Sequence, residues 1–157
     1  MPLLARIILW AWVVVAGILL GGGIYETVVL TPLWAGSPPE SVLQWTHGIP
    51  QARFFGVVTP VYGLLSVALL ALSFRMPNSM RTFALVAGAS GVGVVIWTFL
   101  FFLPILQQTQ ATRGAGLAGE EIAGLVSQFV SWNYLRQVVL VIGWLAGLRA
   151  FSLTPRS

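Results

Sequence analysis

From Ile7 to Trp34 the chain is an almost unbroken apolar run that carries a single acid, Glu26. A run of that length sets the solvent, because about 20 apolar residues in a helix cross a hydrocarbon layer of roughly 30 Å. An ionised carboxylate is costly there, so it faces protein or water and has a cationic partner. The rest of the chain has to supply that partner. The composition agrees: 57% of residues are hydrophobic and only 8% charged, against roughly 25% charged in soluble domains, and the mean hydropathy is +0.90. The 157 residues form one domain's worth of chain, enough for a small bundle of spans and too little for a soluble catalytic domain beside it. A multi-pass protein of the cell membrane, surrounded by membrane lipid, is the expectation.

What is missing narrows the chemistry further. The chain has no Cys, no Lys, no Asp and one His. Without Lys there is no Walker-type phosphate loop, and without Cys no disulfide, thiolate nucleophile or iron–sulfur ligation. One His supplies neither both axial ligands of a bis-His haem nor a His-rich metal site. Gly91 and Gly93 lack the third glycine of a dinucleotide fingerprint and sit in an apolar span. No metal, no cofactor and no nucleic-acid partner is expected.

Hydropathy and breakers predict an all-α fold, an integral membrane bundle of four transmembrane helices making a single domain over 1–157. The spans are expected at about 7–30, 54–74, 82–106 and 128–150, with outer loops 31–53 and 107–127. The first run is too long for a signal peptide, and Gly21-Gly22-Gly23 leads into more span rather than a polar mature start. Pro32 is expected to end the first helix, and Pro104 falls near the end of the third. The short connection around 75–81 makes the second and third spans an antiparallel pair. The fourth helix is expected to begin near Glu120-Glu121, where acids favour a helix N-terminus, and to outrun the bilayer. The tail from Ser152 to Ser157 reads as polar and frayed. Trp34, Trp45 and Trp132 are assigned to an outer aromatic belt, Trp10 and Trp12 to an inner one. Gly17/Gly21 and Gly143/Gly147 have GxxxG spacing, read first as close packing of helix four on helix one and second as a homo-oligomer face.

Five of the eight arginines (Arg6, Arg75, Arg81, Arg149 and Arg156) fall on one side if the chain starts inside. Positive charge collects on the cytoplasmic side, so both termini are expected there. Helical rise then gives depth. Glu26 lies 20 residues beyond Arg6, roughly 30 Å, and Arg53 22 residues before Arg75, roughly 33 Å; both reach the outer margin of the hydrocarbon. Arg136 is only 13 residues before Arg149, roughly 20 Å, and so sits inside the layer. An arginine at that depth snorkels, meets water or finds an acid, and Glu26 is the acid within the spans. Arg53 remains the other candidate partner. Asn133 and Gln137 extend a polar stripe with Arg136, so a small outward-opening pocket is expected with Glu26, Arg136, Asn133 and Gln137 in its wall. Tyr25, Trp45, His47, Arg53, Trp132 and Tyr134 are candidates for its rim.

Gly23-Ile24-Tyr25-Glu26 with Thr31-Pro32-Leu33-Trp34, Phe101-Phe102-Leu103-Pro104-Ile105-Leu106, and Trp132-Asn133-Tyr134-Leu135-Arg136 with Gly143-Trp144-Leu145-Ala146-Gly147 resemble the anthrone oxygenase-like family of four-helix membrane proteins. The resemblance implies Glu26, Pro104, Asn133 and Arg136 as pattern positions. In that family the proline after helix three is often followed by Thr-Asn, where this chain has Ile105-Leu106. It also implies cofactor-free oxygenation of an activated aromatic methylene. That chemistry needs a base, enolate-stabilising donors and a dry aromatic pocket: Glu26 or His47 for the first, Arg136 and Asn133 for the second, and Tyr25, Trp45, Arg53, Trp132, Tyr134 and Gln137 around the substrate. The alternative is a non-enzymatic membrane module that binds a lipophilic small molecule or a partner protein, with Glu26 and Arg136 as a structural ion pair.

Overall fold

The computed structural model describes residues 3–154; the last three residues, among them Arg156, lie outside the described residues together with Met1 and Pro2. The described residues form helices and turns without strands. Four helices are long and apolar enough to cross a membrane: α1 (Leu3–Ala35), α3 (Ala52–Ser73), α4 (Asn78–Ala111) and α5 (Gly119–Ser152), with a single turn, α2 (Glu40–Leu43), between the first two. Helix α1 packs on α3 and α5, and α4 packs on the same two, so the four close a ring in up-and-down order. The chain is an all-α transmembrane-type bundle.

Helix ends depart from what the prolines suggest. α1 runs through Pro32 to Ala35 and α4 through Pro104 to Ala111. Proline inside a helix removes one N–H and crowds the carbonyl four residues back. Here the turn before each proline is π-helical, Glu26–Leu30 in α1 and Thr98–Phe102 in α4. Thr31 N–H bonds to the Glu26 carbonyl and Leu103 N–H to that of Thr98, five residues back. The widened turn takes up the proline without stopping the helix. A third π turn, Gln107–Ala111, ends α4. Much of the two stretches expected as loops is therefore helical.

α1, α4 and α5 have 33, 34 and 34 residues, roughly 50 Å each and well beyond a hydrocarbon layer of about 30 Å. Their surplus gathers with α2 at the loop end into a cap with its own core, Trp34, Val42, Trp45, Ile105, Ile122 and Phe129. A second core fills the bundle below around Leu9, Trp12, Tyr62, Leu69, Met80 and Leu140. Trp12 and Trp34 are thus interior residues, 0% and 1% exposed, and Trp45 is 8% exposed, whereas Trp10 at 57% suits a membrane interface. Trp34 and Trp45 fill space that helix ends and a loop enclose, and Trp12 lies between the spans, which a belt position would not allow.

Small residues bring the helices together. Gly147 of α5 receives the Trp12 ring of α1 and Gly17 receives Trp144 in return, so these two glycines pack α5 on α1, while Gly143 faces Ser90 of α4. Trp12 Nε1 donates to Ser66 Oγ at 2.8 Å and Ser66 Oγ donates to the Tyr62 carbonyl at 2.7 Å. A methyl at Gly147 would meet the Trp12 ring, while one at Gly21 meets nothing within 4 Å. Gly147→Ala is therefore expected to lower stability in detergent by about 1–3 kcal/mol, the usual penalty of overpacking. Gly21→Ala should be neutral or mildly stabilising. Thermal unfolding of the two variants side by side checks this.

Candidate functional site

The polar residues of α5 meet α1 where the π turn begins. Asn133 and Arg136 lie one helical turn apart on the α5 face that meets α1, and the first residue of the π turn, Glu26, points at them. Arg136 Nη2 donates to Glu26 Oε2 at 2.9 Å and to Asn133 Oδ1 at 2.6 Å. Asn133 Nδ2 donates to Thr27 Oγ1 at 2.9 Å, and Thr27 Oγ1 donates to the Gly23 carbonyl at 2.8 Å. The guanidinium carbon lies 4.2 Å from the centre of the Phe102 ring, which comes from the π turn of α4. Glu26, Asn133 and Arg136 are 2%, 1% and 7% exposed. The partner of Glu26 is thus Arg136; Arg53 is exposed and has no ion pair among the described residues.

Beside this pair is a cavity of about 130 Å³, mostly apolar, whose polar wall is Glu26, Gln51, Thr59, Thr98, Arg136 and Gln137. Three sets of atoms there lack partners. Glu26 Oε1 has no hydrogen bond among the described residues, Arg136 Nε has none, and neither atom of the Gln137 amide has one. The amide of Gln137 lies against Gly23, where a methyl group would strike it. A buried donor and acceptor left open is unusual and marks a place where a ligand can hydrogen-bond.

The buried glutamines Gln51 and Gln110 lie at the loop end of the cavity. In the amide orientation that satisfies its neighbours, Gln110 Oε1 accepts from Trp34 Nε1 at 2.8 Å and Gln51 Nε2 at 3.3 Å, and its nitrogen donates to the Gly48 carbonyl at 3.2 Å. The cap thereby closes over the site. The exposed residues of the lining, Ala52, Gly56 and Phe99, belong to α3 and α4.

Several rim candidates sit elsewhere. His47 is exposed, stands edge-on to Trp45 with ring centres 5.0 Å apart, and lines a surface depression with Glu40. Trp45 points into the cap core with Nε1 donating to the Gly48 carbonyl at 2.6 Å. Tyr25 and Tyr134 are 56% and 59% exposed on the outside of the bundle. Trp132 packs on Trp97 in a groove between α4 and α5. A loop of twenty residues leaves the position of each side chain open, and an aromatic beside a polar stripe belongs to the neighbouring helix face as often as to the same one. Phe102, Gln51, Gln110, Thr59 and Thr98 were not singled out from the sequence. Thr59 and Thr98 do interrupt apolar runs, which is the signal that could have found them. Among the described residues no three His, Asp or Glu side chains cluster.

A family model described as anthrone oxygenase matches residues 49–146, which hold α3, α4 and the Asn133–Arg136–Gln137 stretch of α5. The chain belongs to the anthrone oxygenase family. The family match thus includes the arginine of the pair, while Glu26 comes from α1, ahead of it. No curated protein and no solved structure matches the chain.

Removing one partner of a buried pair strands the other charge. Glu26→Leu alone or Arg136→Met alone is expected to cost about 3–5 kcal/mol, and the two combined to recover most of that loss. A double-mutant cycle by thermal unfolding in one detergent measures both; equal losses in the single and double variants would contradict the pairing.

Proposed function

We propose that the cavity binds a lipophilic aromatic compound with an acidic methylene conjugated to a carbonyl, as in anthrone, and that the protein oxygenates it to the ketone. The observation that carries this reading is a carboxylate with one open oxygen, Glu26 Oε1, in the wall of an apolar cavity that Arg136 and Gln137 also line. Family membership agrees with it. Glu26 Oε1 removes a methylene proton. Arg136 and Gln137 face the developing enolate oxygen, where fixed donors in an apolar site act most strongly. The carbanion gives one electron to dioxygen, the radical pair forms the C–O bond, and the proton returned by Glu26 completes a hydroperoxide. Loss of water, taking the second methylene hydrogen with the distal oxygen and its proton, leaves the ketone. Asn133 is a positioning residue in this scheme, since both ends of its amide are engaged by Arg136 and Thr27. His47 has no part in it.

The cavity, about 130 Å³, is comparable with the roughly 150 Å³ that takes up one benzene. One ring would be enclosed and the rest of a polycyclic substrate would lie towards the open wall. We further infer from the arginines that the termini are cytoplasmic in the cell membrane and that the cap faces outward.

Purified protein given anthrone in air should consume one dioxygen per ketone formed. Glu26→Asp, which keeps the pair but withdraws the carboxylate, should lower kcat by about 10²–10⁴, Gln137→Leu should raise KM, and His47→Ala should change neither. Anthrone that binds without oxygen uptake would favour the non-enzymatic module, for which the tight Glu26–Arg136 pair already speaks. Anthrone that neither binds nor reacts would overturn both.

A further inference from the structure

The exposed residues that line the cavity lie on α3 and α4. At Gly88 a methyl group would touch the backbone of Leu70, and at Gly91 it would strike Ser66. Further along, Gly63 has Val95 at 3.4 Å, and at Gly56 nothing lies within 4 Å. Gly56 and Phe99 line the cavity, and both are exposed, Phe99 by 48%. Around them the surface is apolar: Val57 is 66% and Leu100 77% exposed. Gly56 follows Arg53 by one helical turn, roughly 5 Å towards the middle of a span. Water meets the cap and lipid meets the flank. The cap is closed by the Gln51–Gln110–Trp34 hydrogen bonds, and the core around Tyr62 and Leu140 closes the opposite end.

We propose that the cavity is reached from the bilayer through the gap between α3 and α4, with Gly56 as its floor and Phe99 as its movable side. The class of ligand follows: a compound dissolved in lipid, one aromatic ring across at its leading end, that never has to pass through the cap. Gly56 serves because it leaves open space where a long side chain such as leucine would stand, and Phe99 because a single ring can change rotamer without breaking the helix. This inference rests on the cavity being the ligand site, but not on turnover.

The chain has no cysteine, so Thr59→Cys places a single thiol in the cavity wall at a position 3% exposed. In lipid nanodiscs it is treated with benzyl methanethiosulfonate, which partitions into lipid, and separately with the sulfonatoethyl reagent, which does not. The benzyl reagent should react at least about tenfold faster; adding Gly56→Leu should slow it about tenfold, and adding Phe99→Ala should speed it several-fold, as removal of a gate does. Comparable rates for the charged reagent, or benzyl rates unmoved by both variants, would overturn lateral access. If Gly56→Leu fails to fold, Phe99→Ala alone decides. Oxygen uptake plays no part in the readout, so loss of the oxygenase reading and loss of the lateral path are separate results.

Discussion

The ion pair between Glu26 and Arg136 is the constraint on which the site depends. Two charges 2.9 Å apart, carried by helices that must otherwise be apolar, tie α1 to α5 in one register. Desolvation of both opposes the Coulomb gain, and a well-packed apolar pair of similar volume would hold the bundle at least as well. The surroundings show how the charges are kept. Asn133 and Thr27 extend the hydrogen bonds to the Gly23 carbonyl, and the Phe102 ring covers the guanidinium at 4.2 Å. Those partners come from three helices, so the pair organises the whole upper bundle. Stability alone is a weak reason for such an arrangement, whereas an open carboxylate oxygen on a cavity is a use for it.

The prolines explain how the helices reach these positions. Each π turn inserts one residue into the helical count before its proline, which turns the residues beyond it by about a third of a revolution relative to an uninterrupted helix. In α1 the turn starts at Glu26; in α4 it ends at Phe102. Both are residues of the Arg136 environment. Irregular turns are tolerated in apolar helices where the freed backbone groups find partners, and here Thr31 N–H and Leu103 N–H bond to carbonyls five residues back. Thr27 and Thr98 also turn their hydroxyls onto carbonyls four residues back, those of Gly23 and Val94.

The bundle and the pair were legible for simple reasons. Long apolar runs leave little choice of solvent, and the one acid within the spans met the one arginine that helical rise placed deep in them. Gln137 was likewise readable from its place on the Asn133–Arg136 stripe. The cap was not. Pro32 and Pro104 read as helix ends because proline ends most helices, and the π turns that carry the chain past them have no sequence signature. His47 and Trp45 lie in a segment without periodicity, so nothing fixed which way they point. The Gln51–Gln110 contact joins residues 59 apart, and apart from their chemistry neither differs from a loop glutamine facing water.

Lateral access and the closed cap are two parts of one design problem. A carboxylate that is to act as a base works best away from bulk water, which would solvate it and quench the enolate it forms. A cap tied by Gln110, Gln51, Gly48 and Trp34 stands over the loop end. A lipophilic substrate is, however, scarce in water and concentrated in the bilayer, so an open cap would admit mainly the wrong molecule. On the proposed lateral path the cavity is entered past the exposed Gly56 and Phe99, from the phase where such a substrate resides.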